Sequence, residues 1–319
     1  MLPSLAAGFR SLRRNPGLVL LVLATNLALA LVLAVPLAGQ LERDLAHTGA
    51  SRGMLYGFDY DWWTRFDEKA TGPAASFAPD LLGTGFMLRN ADLLLRGSIP
   101  GGLFAFGSGP DPAILGSGVL YLLLQVFLTG GLLGVFRAPA GGWTFRSIVH
   151  GSGFYFGRIL RVSLLALAAT GVVFAAYAPF ARWSDGLARE AVSERTALAL
   201  TFGHRAALLL LLVLVHMVSS HAKVLVVREE RLSAVLALAS SAGLCLRRFA
   251  SAFGQYAVVF LFALVLLAAF AFVDARLAVT GYRTQLLAFV FFELFVAARI
   301  ALRLGLLASQ LELQERGCR

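Results

Sequence analysis

The sequence is short of charge and of cysteine. Charged residues make up 14% of its 319 positions, and Cys245 and Cys318 are its only cysteines. Soluble globular domains carry roughly 25% charged residues, so this composition argues against a soluble fold. No Cys-x-x-Cys or Cys/His ligand spacing occurs in the chain. We therefore predict neither a structural disulfide nor a bound metal ion.

Catalytic and nucleotide-binding motifs are missing as well. The chain has no Walker A loop, no Gly-x-Gly-x-x-Gly opening a helix after a strand, no His-Glu-x-x-His and no Gly-x-Ser-x-Gly. The sequence therefore indicates no cofactor and no nucleotide site. A lipid-active enzyme would need acid–base groups clustered at an interface, and it is the least favoured class. The only acidic group that approaches such a cluster comprises Asp59, Asp61, Asp67 and Glu68.

Apolar residues are abundant instead. They make up 58% of the chain, and the mean hydropathy is +0.76. Several apolar runs approach or exceed the length of roughly 20 residues that crosses a bilayer as a helix. We predict an all-α integral membrane protein in which residues 1–319 form a single polytopic domain. The six predicted transmembrane helices cover about 18–37, 114–136, 159–180, 206–227, 253–273 and 284–303.

The first apolar run has an alternative interpretation as a cleaved signal peptide. The run at 18–37 is longer than the apolar region of a typical signal peptide, which has about 7–15 residues. Its length therefore favours a membrane span that stays in the protein.

One larger polar stretch, residues 39–110, is predicted to be an extracytoplasmic loop or subdomain. It contains a predicted amphipathic helix around Phe77–Leu95. It also contains an aromatic cluster, formed by Tyr56, Phe58, Tyr60, Trp62, Trp63 and Phe66. An aromatic belt at the membrane surface is the favoured interpretation of this cluster. A platform for a ligand remains the alternative.

Arginine-bearing segments with helical apolar spacing precede the odd-numbered spans, at 1–16, 139–158 and 229–248. We predict that they are amphipathic helices on the cytoplasmic surface. Internal repeats of this kind, a surface helix followed by a transmembrane hairpin, are common in transporters. At the end of the second span, Gly130 and Gly134 form a Gly-x-x-x-Gly pattern, which predicts close helix packing.

The distribution of charge predicts the topology. The N-terminus, the links 137–161 and 223–248, and the chain from Arg299 onward carry 16 lysines and arginines and 4 acidic residues. The opposite side carries 12 basic and 13 acidic residues. The positive-inside rule then places both termini in the cytoplasm. It also accounts for the net charge of +10, so no nucleic-acid partner is predicted.

Lysine is rare, with only Lys69 and Lys223 among many arginines, which is typical of a GC-rich bacterial genome. Three stretches resemble a group of bacterial six-span inner-membrane proteins of unknown function. They are Phe-Arg-Ser-Leu-Arg-Arg-Asn-Pro-Gly-Leu near the start, Gly-Gly-Leu-Leu-Gly-Val-Phe after span 2, and Arg299-Ile-Ala-Leu-Arg303-Leu-Gly-Leu-Leu-Ala-Ser-Gln near the end. The resemblance implies the same layout and a bacterial cytoplasmic membrane, and it assigns no chemistry.

Polar side chains inside the predicted spans are the candidate site. Gln125, His216 and Glu293 each lie about ten residues in from the outer face, and Asn26 lies near the middle of the first span. These four residues are predicted to form a polar cluster at the membrane midplane. Many transporters hold substrate or a coupling ion at that level.

Two interpretations of this cluster stay open. In the structural one, Glu293 is protonated or paired with His216, and the amides hold helices together with bonds of about 1 kcal/mol each. In the functional one, Glu293 and His216 form a proton or cation site in a pathway, because an idle carboxylate at mid-span costs about 2.5–3.5 kcal/mol. Arg299 and Arg303, one helical turn apart, are predicted to contact lipid phosphates or an anionic substrate.

Two functions follow from these features. The first is a transporter-like or permease-like subunit without its own nucleotide site, whose surface helices 139–158 and 229–248 dock a cytoplasmic ATPase or another membrane subunit. The second is a structural or assembly protein that organises membrane lipids or recruits partners.

Overall fold

The computed structural model describes residues 1–46, 48, 58–71, 74, 77, 112–138, 143–277 and 281–315. Within these ranges every regular element is a helix, and no strand occurs. The helices are α1 (Leu2–Arg14), α2 (Gly17–Ala46), α3 (Tyr60–Asp67), α4 (Pro112–Arg137), α5 (Phe145–Glu190), α6 (Glu194–Arg228), α7 (Ala234–Arg247), α8 (Phe249–Asp274) and α9 (Tyr282–Glu315). The predicted all-α class is confirmed.

Six of the described helices, namely α2, α4, α5, α6, α8 and α9, are long and apolar enough to cross a membrane. This number equals the number of spans predicted from the apolar runs. The described chain is therefore compatible with a polytopic membrane protein.

The long helices alternate in direction, and one end of the bundle collects many arginines. At this end α4 finishes beside the end of α6, where the Arg137 guanidinium donates to the carbonyl oxygen of Val227 over 2.9 Å. From α5, Arg158 donates to the carbonyl oxygen of Glu230 over 3.1 Å. Arg231 pairs with Glu229 at 2.6 Å in the same region. We call this the arginine-rich end; α2, α5 and α8 begin there, and α4, α6 and α9 finish there.

Several helices run further than the apolar runs predicted. α5 has 46 residues and α6 has 35, so they are about 69 Å and 53 Å long. The predicted polar link 181–205 is helical except for 191–193. Arginine, aspartate and glutamate in 181–190 are compatible with a helix, so polarity there does not end α5. The helix starts at a capping box, in which the Ser147 amide and the Thr144 hydroxyl are 3.1 Å apart.

The start of α5 also changes the predicted surface helices. Residues 145–158 are the first turns of α5 and not a separate helix, because no proline or turn interrupts them. The segment 229–248 does contain a separate helix, α7. The interval 139–142 of the predicted segment 139–158 lies outside the described residues.

Glycines allow α4 and α5 to approach closely. A Cβ atom added to Gly131 would lie 2.5 Å from the Ile148 carbonyl oxygen. A Cβ atom added to Gly151 would lie 3.4 Å from the Gly131 Cα. Gly130 is similarly crowded, with Tyr155 at 3.1 Å. Gly134 meets nothing within 4 Å. The close contact therefore uses the adjacent pair of glycines and not the predicted Gly-x-x-x-Gly spacing.

The last helix, α9, lies at the centre of the bundle, in contact with α1, α2, α4, α6 and α8. Helix α1 was expected to rest on the membrane surface, but it packs on α9 with Leu5 and Leu12 buried. The contact is possible because Gly8 lies directly against Gly305 and Ser309. Small residues at the crossing let the two backbones meet.

The predicted aromatic cluster forms a small core beside the extension of α2. Trp62 is 2% exposed, and its indole donates to the Asp44 carboxylate over 2.8 Å. Phe66 stacks on Trp62 with the ring centroids 5.1 Å apart. Asp59 caps α3 through the Trp62 amide at 2.9 Å. Trp62 and Phe66 are therefore buried, whereas Tyr60 is exposed, and the belt and the platform both stay predictions. Tyr56, residues 78–95 and Cys318 lie outside the described residues.

Candidate functional site

A chain of polar side chains joins three helices. The Gln125 amide on α4 donates to the Asn26 side-chain oxygen on α2 over 2.9 Å. The guanidinium of Arg303 on α9 donates to the Gln125 side-chain oxygen over 3.0 Å. Arg303 therefore joins this polar chain, and its side chain is exposed. Its guanidinium has further N–H groups that remain able to bind an acceptor.

His216 belongs to a second polar chain, which includes Tyr256 on α8. The His216 Nδ1 and the Tyr256 hydroxyl are 3.1 Å apart, and the Gln310 amide donates to the same hydroxyl over 3.0 Å. The Tyr256 hydroxyl thus accepts from Gln310, and it pairs with His216 Nδ1 as donor or as acceptor according to the tautomer of the ring. Ser220 completes the chain, since its hydroxyl donates to Gln310 over 2.6 Å.

A cavity of about 320 Å³ brings members of both chains together. It lies between α4, α5 and α6, and Arg303 reaches it from α9. A neighbouring cavity of about 70 Å³ shares several of its residues. The shared residues are Gln125, Thr129, His216, Ser219, Lys223 and Arg303. We call these two spaces together the basic cavity.

The basic cavity holds two cations and, among its lining residues, no carboxylate. Within the described part of the chain, no hydrogen bond or ion pair engages the Lys223 ammonium. A cation without a counter-charge is costly in an apolar bundle, so such residues usually serve a function. Lys223 and Arg303 would favour a negatively charged occupant.

Glu293 lies away from this cavity. It precedes Arg303 by ten residues on α9, which is about 15 Å along the helix. No hydrogen bond or ion pair joins its carboxylate to any residue that the structure describes. The expected pair with His216 is not formed. The predicted equal depth of the two residues fails at α6, which begins at Glu194 and not near 206, whereas α9 begins at Tyr282, close to the predicted 284.

The two predicted phosphate-contacting arginines have different surroundings. Both side chains are exposed, and the Arg299 guanidinium lies 5.8 Å from the centre of the Phe295 ring. Arg303, one turn later, contacts Gln125 and lines the basic cavity. The cavity also contains residues that sequence reasoning missed, chiefly Lys223 and Ser163. The rarity of lysine was visible in the sequence, but Lys223 was assigned to the cytoplasmic link.

A separate polar group lies near the end opposite the arginine-rich end. The hydroxyl of Tyr177 is 2.8 Å from His204 Nδ1, and His204 Nε2 is 3.2 Å from the Asp185 carboxylate. His204 is 5% exposed. These three residues, which we call the clasp, join α5 to α6. Both nitrogens of His204 have a partner, so the group fits a structural role.

In the described ranges, no three histidine, cysteine, aspartate or glutamate side chains are grouped so that they could hold a metal ion. Comparisons with protein-family models, with curated proteins and with solved structures found no match to this chain. The geometry of the basic cavity is therefore the basis for a proposed function.

Proposed function

We propose that this chain is a permease-like membrane subunit whose basic cavity holds an anionic substrate. The observation that carries the proposal is the unpaired Lys223 beside Arg303 in a cavity enclosed by apolar helices. Fixed positive charge inside a helical bundle is typical of membrane proteins that bind or conduct anions. In the proposed topology the arginine-rich end and both termini face the cytoplasm of a bacterium.

An energy source would come from a partner, because the sequence has no nucleotide-binding motif. We expect a cytoplasmic ATPase or another membrane subunit to dock at the arginine-rich end, on α7 and the first turns of α5. Phe145 and Val149 are exposed there, as are Val235 and Leu236 of α7.

Those exposed apolar residues also favour the second candidate, a structural or assembly protein. Val235, Leu236 and Leu246 are exposed on α7, and Arg247 and Arg248 follow. An apolar face next to arginines is suited to the surface of an anionic membrane. In this case an anionic occupant would stay in the basic cavity, and the protein would transport nothing.

Cysteine accessibility separates the two functions without knowledge of the substrate. Ser219 on α6 lines the cavity, and Leu211 on the same helix is exposed on the outer face of the bundle. In a background with Cys245 and Cys318 replaced by serine, Ser219→Cys is treated with a membrane-impermeant thiol reagent. The reagent is applied to intact cells and, separately, to inside-out vesicles.

A permease must open its site to each side in turn, so Ser219→Cys should react from both sides and the Leu211→Cys control from neither. Reaction of Ser219→Cys from one side only, or from neither, would overturn the permease proposal and favour the structural one. A second cavity position, Thr129→Cys, guards against failure of a single variant to fold.

A further inference from the structure

We infer that the basic cavity binds a phosphate-bearing lipid, with the headgroup at Lys223 and Arg303 and an acyl chain along the apolar part of the cavity. This inference rests on the proposed function and names the class of its substrate. It is carried by the donors that the cavity leaves unused, by their position, and by the opening of the cavity toward lipid.

The cavity has a surplus of hydrogen-bond donors. Lys223 carries three N–H groups without a partner among the described residues, and Arg303 uses one N–H on Gln125. Ser163 is only 8% exposed and lines the cavity, yet its hydroxyl has no partner. A phosphate is suited to this set because its oxygens accept hydrogen bonds from several donors and carry negative charge.

The other serine and threonine hydroxyls in the cavity already have acceptors, which limits the set of side chains that could recognise a ligand. The Thr129 hydroxyl donates to the Gln125 carbonyl oxygen over 2.6 Å. The Ser219 hydroxyl donates to the His216 carbonyl oxygen over 3.0 Å. The buried Ser163 hydroxyl is therefore the one whose bonding requirement a ligand would meet. An unsatisfied buried donor in a native fold calls for such a partner.

The polar and apolar parts of the cavity lie at different levels. Helices α4 and α6 run toward the arginine-rich end and α5 runs away from it. Ser163 and Lys223 are thus the residues nearer that end, while Leu122, Leu167 and Leu212 lie further from it. The Lys223 Cα is about 8 Å along α6 from Arg228. A lipid of the adjoining leaflet has this orientation, with its head toward the membrane surface and its tails toward the centre.

The rim of the cavity points to entry from the membrane. Leu167 is 57% exposed and Tyr121 is 43% exposed, and both line the cavity between α4, α5 and α6. A large apolar rim suits an acyl chain, and an inorganic ion would gain nothing from it. Lateral entry of a lipid therefore explains both the charge at one end and the apolar walls at the other.

The test is a titration of the full-length protein by native mass spectrometry in detergent. The probes are phosphatidylglycerol, phosphatidylcholine with the same acyl chains, and inorganic phosphate. We expect phosphatidylglycerol to bind at least about tenfold more tightly than phosphatidylcholine, because a choline cation would oppose Lys223 and Arg303. Equal binding of the two lipids would overturn the inference, and so would displacement of the lipid by millimolar phosphate.

Substitutions locate the headgroup. Lys223→Gln and Arg303→Gln should each weaken phosphatidylglycerol binding about tenfold, since a charge-assisted hydrogen bond is lost. The matched control is Arg299→Gln, one turn away on α9 and not among the residues that line the cavity, which should bind like the wild type. Ser163→Ala removes one atom and tests the site if a charge variant fails to fold; it should weaken binding several-fold. Unchanged binding in all three cavity variants would overturn the inference.

The two proposals fail separately. Lipid binding at Lys223 and Arg303 without two-sided reaction of Ser219→Cys would support the lipid site and overturn the permease. Two-sided reaction without lipid preference would support the permease and overturn the lipid as its substrate.

Discussion

The basic cavity and the clasp both include residues of α5 and α6, and their histidines have different hydrogen-bond partners. His204 in the clasp has a hydroxyl on one nitrogen and a carboxylate on the other. His216 at the cavity bonds Tyr256 and shares its space with Lys223 and Arg303. Polar groups that satisfy one another stabilise a fold, whereas buried donors without a partner call for an explanation, which the proposed ligand supplies. The contrast is thus between a group with matched donors and acceptors and a group with unused donors.

The largest effect on stability should come from breaking the clasp. His204→Ala removes two hydrogen bonds from a buried position, so we expect the free energy of unfolding to fall by about 2 kcal/mol. Denaturant unfolding of the purified protein in detergent measures this change. His150→Ala, at an exposed position on α5, is the control and should change it by less than about 0.5 kcal/mol. Equal losses in both variants would remove the structural role of the clasp.

Lys223→Met should not lower the free energy of unfolding, in contrast to His204→Ala. It removes a cation that lacks a counter-charge among the described residues, so lipid-free protein should be unchanged or more stable by about 1 kcal/mol. Arg137→Met is the comparison, because Arg137 bonds the Val227 carbonyl oxygen and Glu230. That variant should lose about 1 kcal/mol. If Lys223→Met loses as much, Lys223 is a structural cation and not part of a binding site.

Glu293→Gln should change little. The Glu293 carboxylate has no partner in the part of the chain that the structure describes, so we expect less than about 0.5 kcal/mol of change in unfolding free energy. The variant should also leave the two-sided reaction of Ser219→Cys unaltered. A loss of reaction from one side would return Glu293 to the pathway that its mid-span position first suggested.

The smallest expected effect is on the reaction rate of Cys245, which reports how α7 packs at the arginine-rich end. Cys245 is buried against Met217 and Ala252, and burial raises the pKa of its thiol. With Cys318 replaced by serine, Cys245 should react slowly with iodoacetamide at neutral pH, because little thiolate is present. The rate of its reaction with iodoacetamide should keep rising at pH values where the rate of an ordinary thiol no longer increases.

The control for this measurement is a cysteine at Ala239, an exposed position on α7, placed in a chain without the two native cysteines. It should react faster at neutral pH. If Cys245 reacts as fast as the control, α7 does not pack stably on α6.

The number of long helices could be read from the sequence because apolar length is a local property of the chain. Their ends could not, since residues 181–190 are polar and still helical. The partners of Gln125 follow the same division. Its position inside a span was visible, but the meeting with Asn26 and Arg303 depends on how three helices pack.

Glu293 and Lys223 show why the candidate site was only partly predictable. Glu293 stood out because a carboxylate inside an apolar run is locally anomalous. Lys223 did not, because it lies close to Arg228 and looks like part of a basic helix end. Its position beside Arg303 depends on how α6 packs near α9, which continues to Glu315 past the predicted end at 303, and no local pattern encodes that packing.

The contact between α1 and α9 has a consequence for the order in which the protein is assembled. α1 precedes α9 in the chain, with the other described helices between them, so α1 leaves the ribosome well before its partner. The face of α1 that carries Leu5 and Gly8 therefore stays uncovered until α9 has been synthesised. Its arginines can hold it at the membrane surface during that interval. Docking of α1 onto Gly305 and Ser309 is thus an event that follows the synthesis of the helices between them.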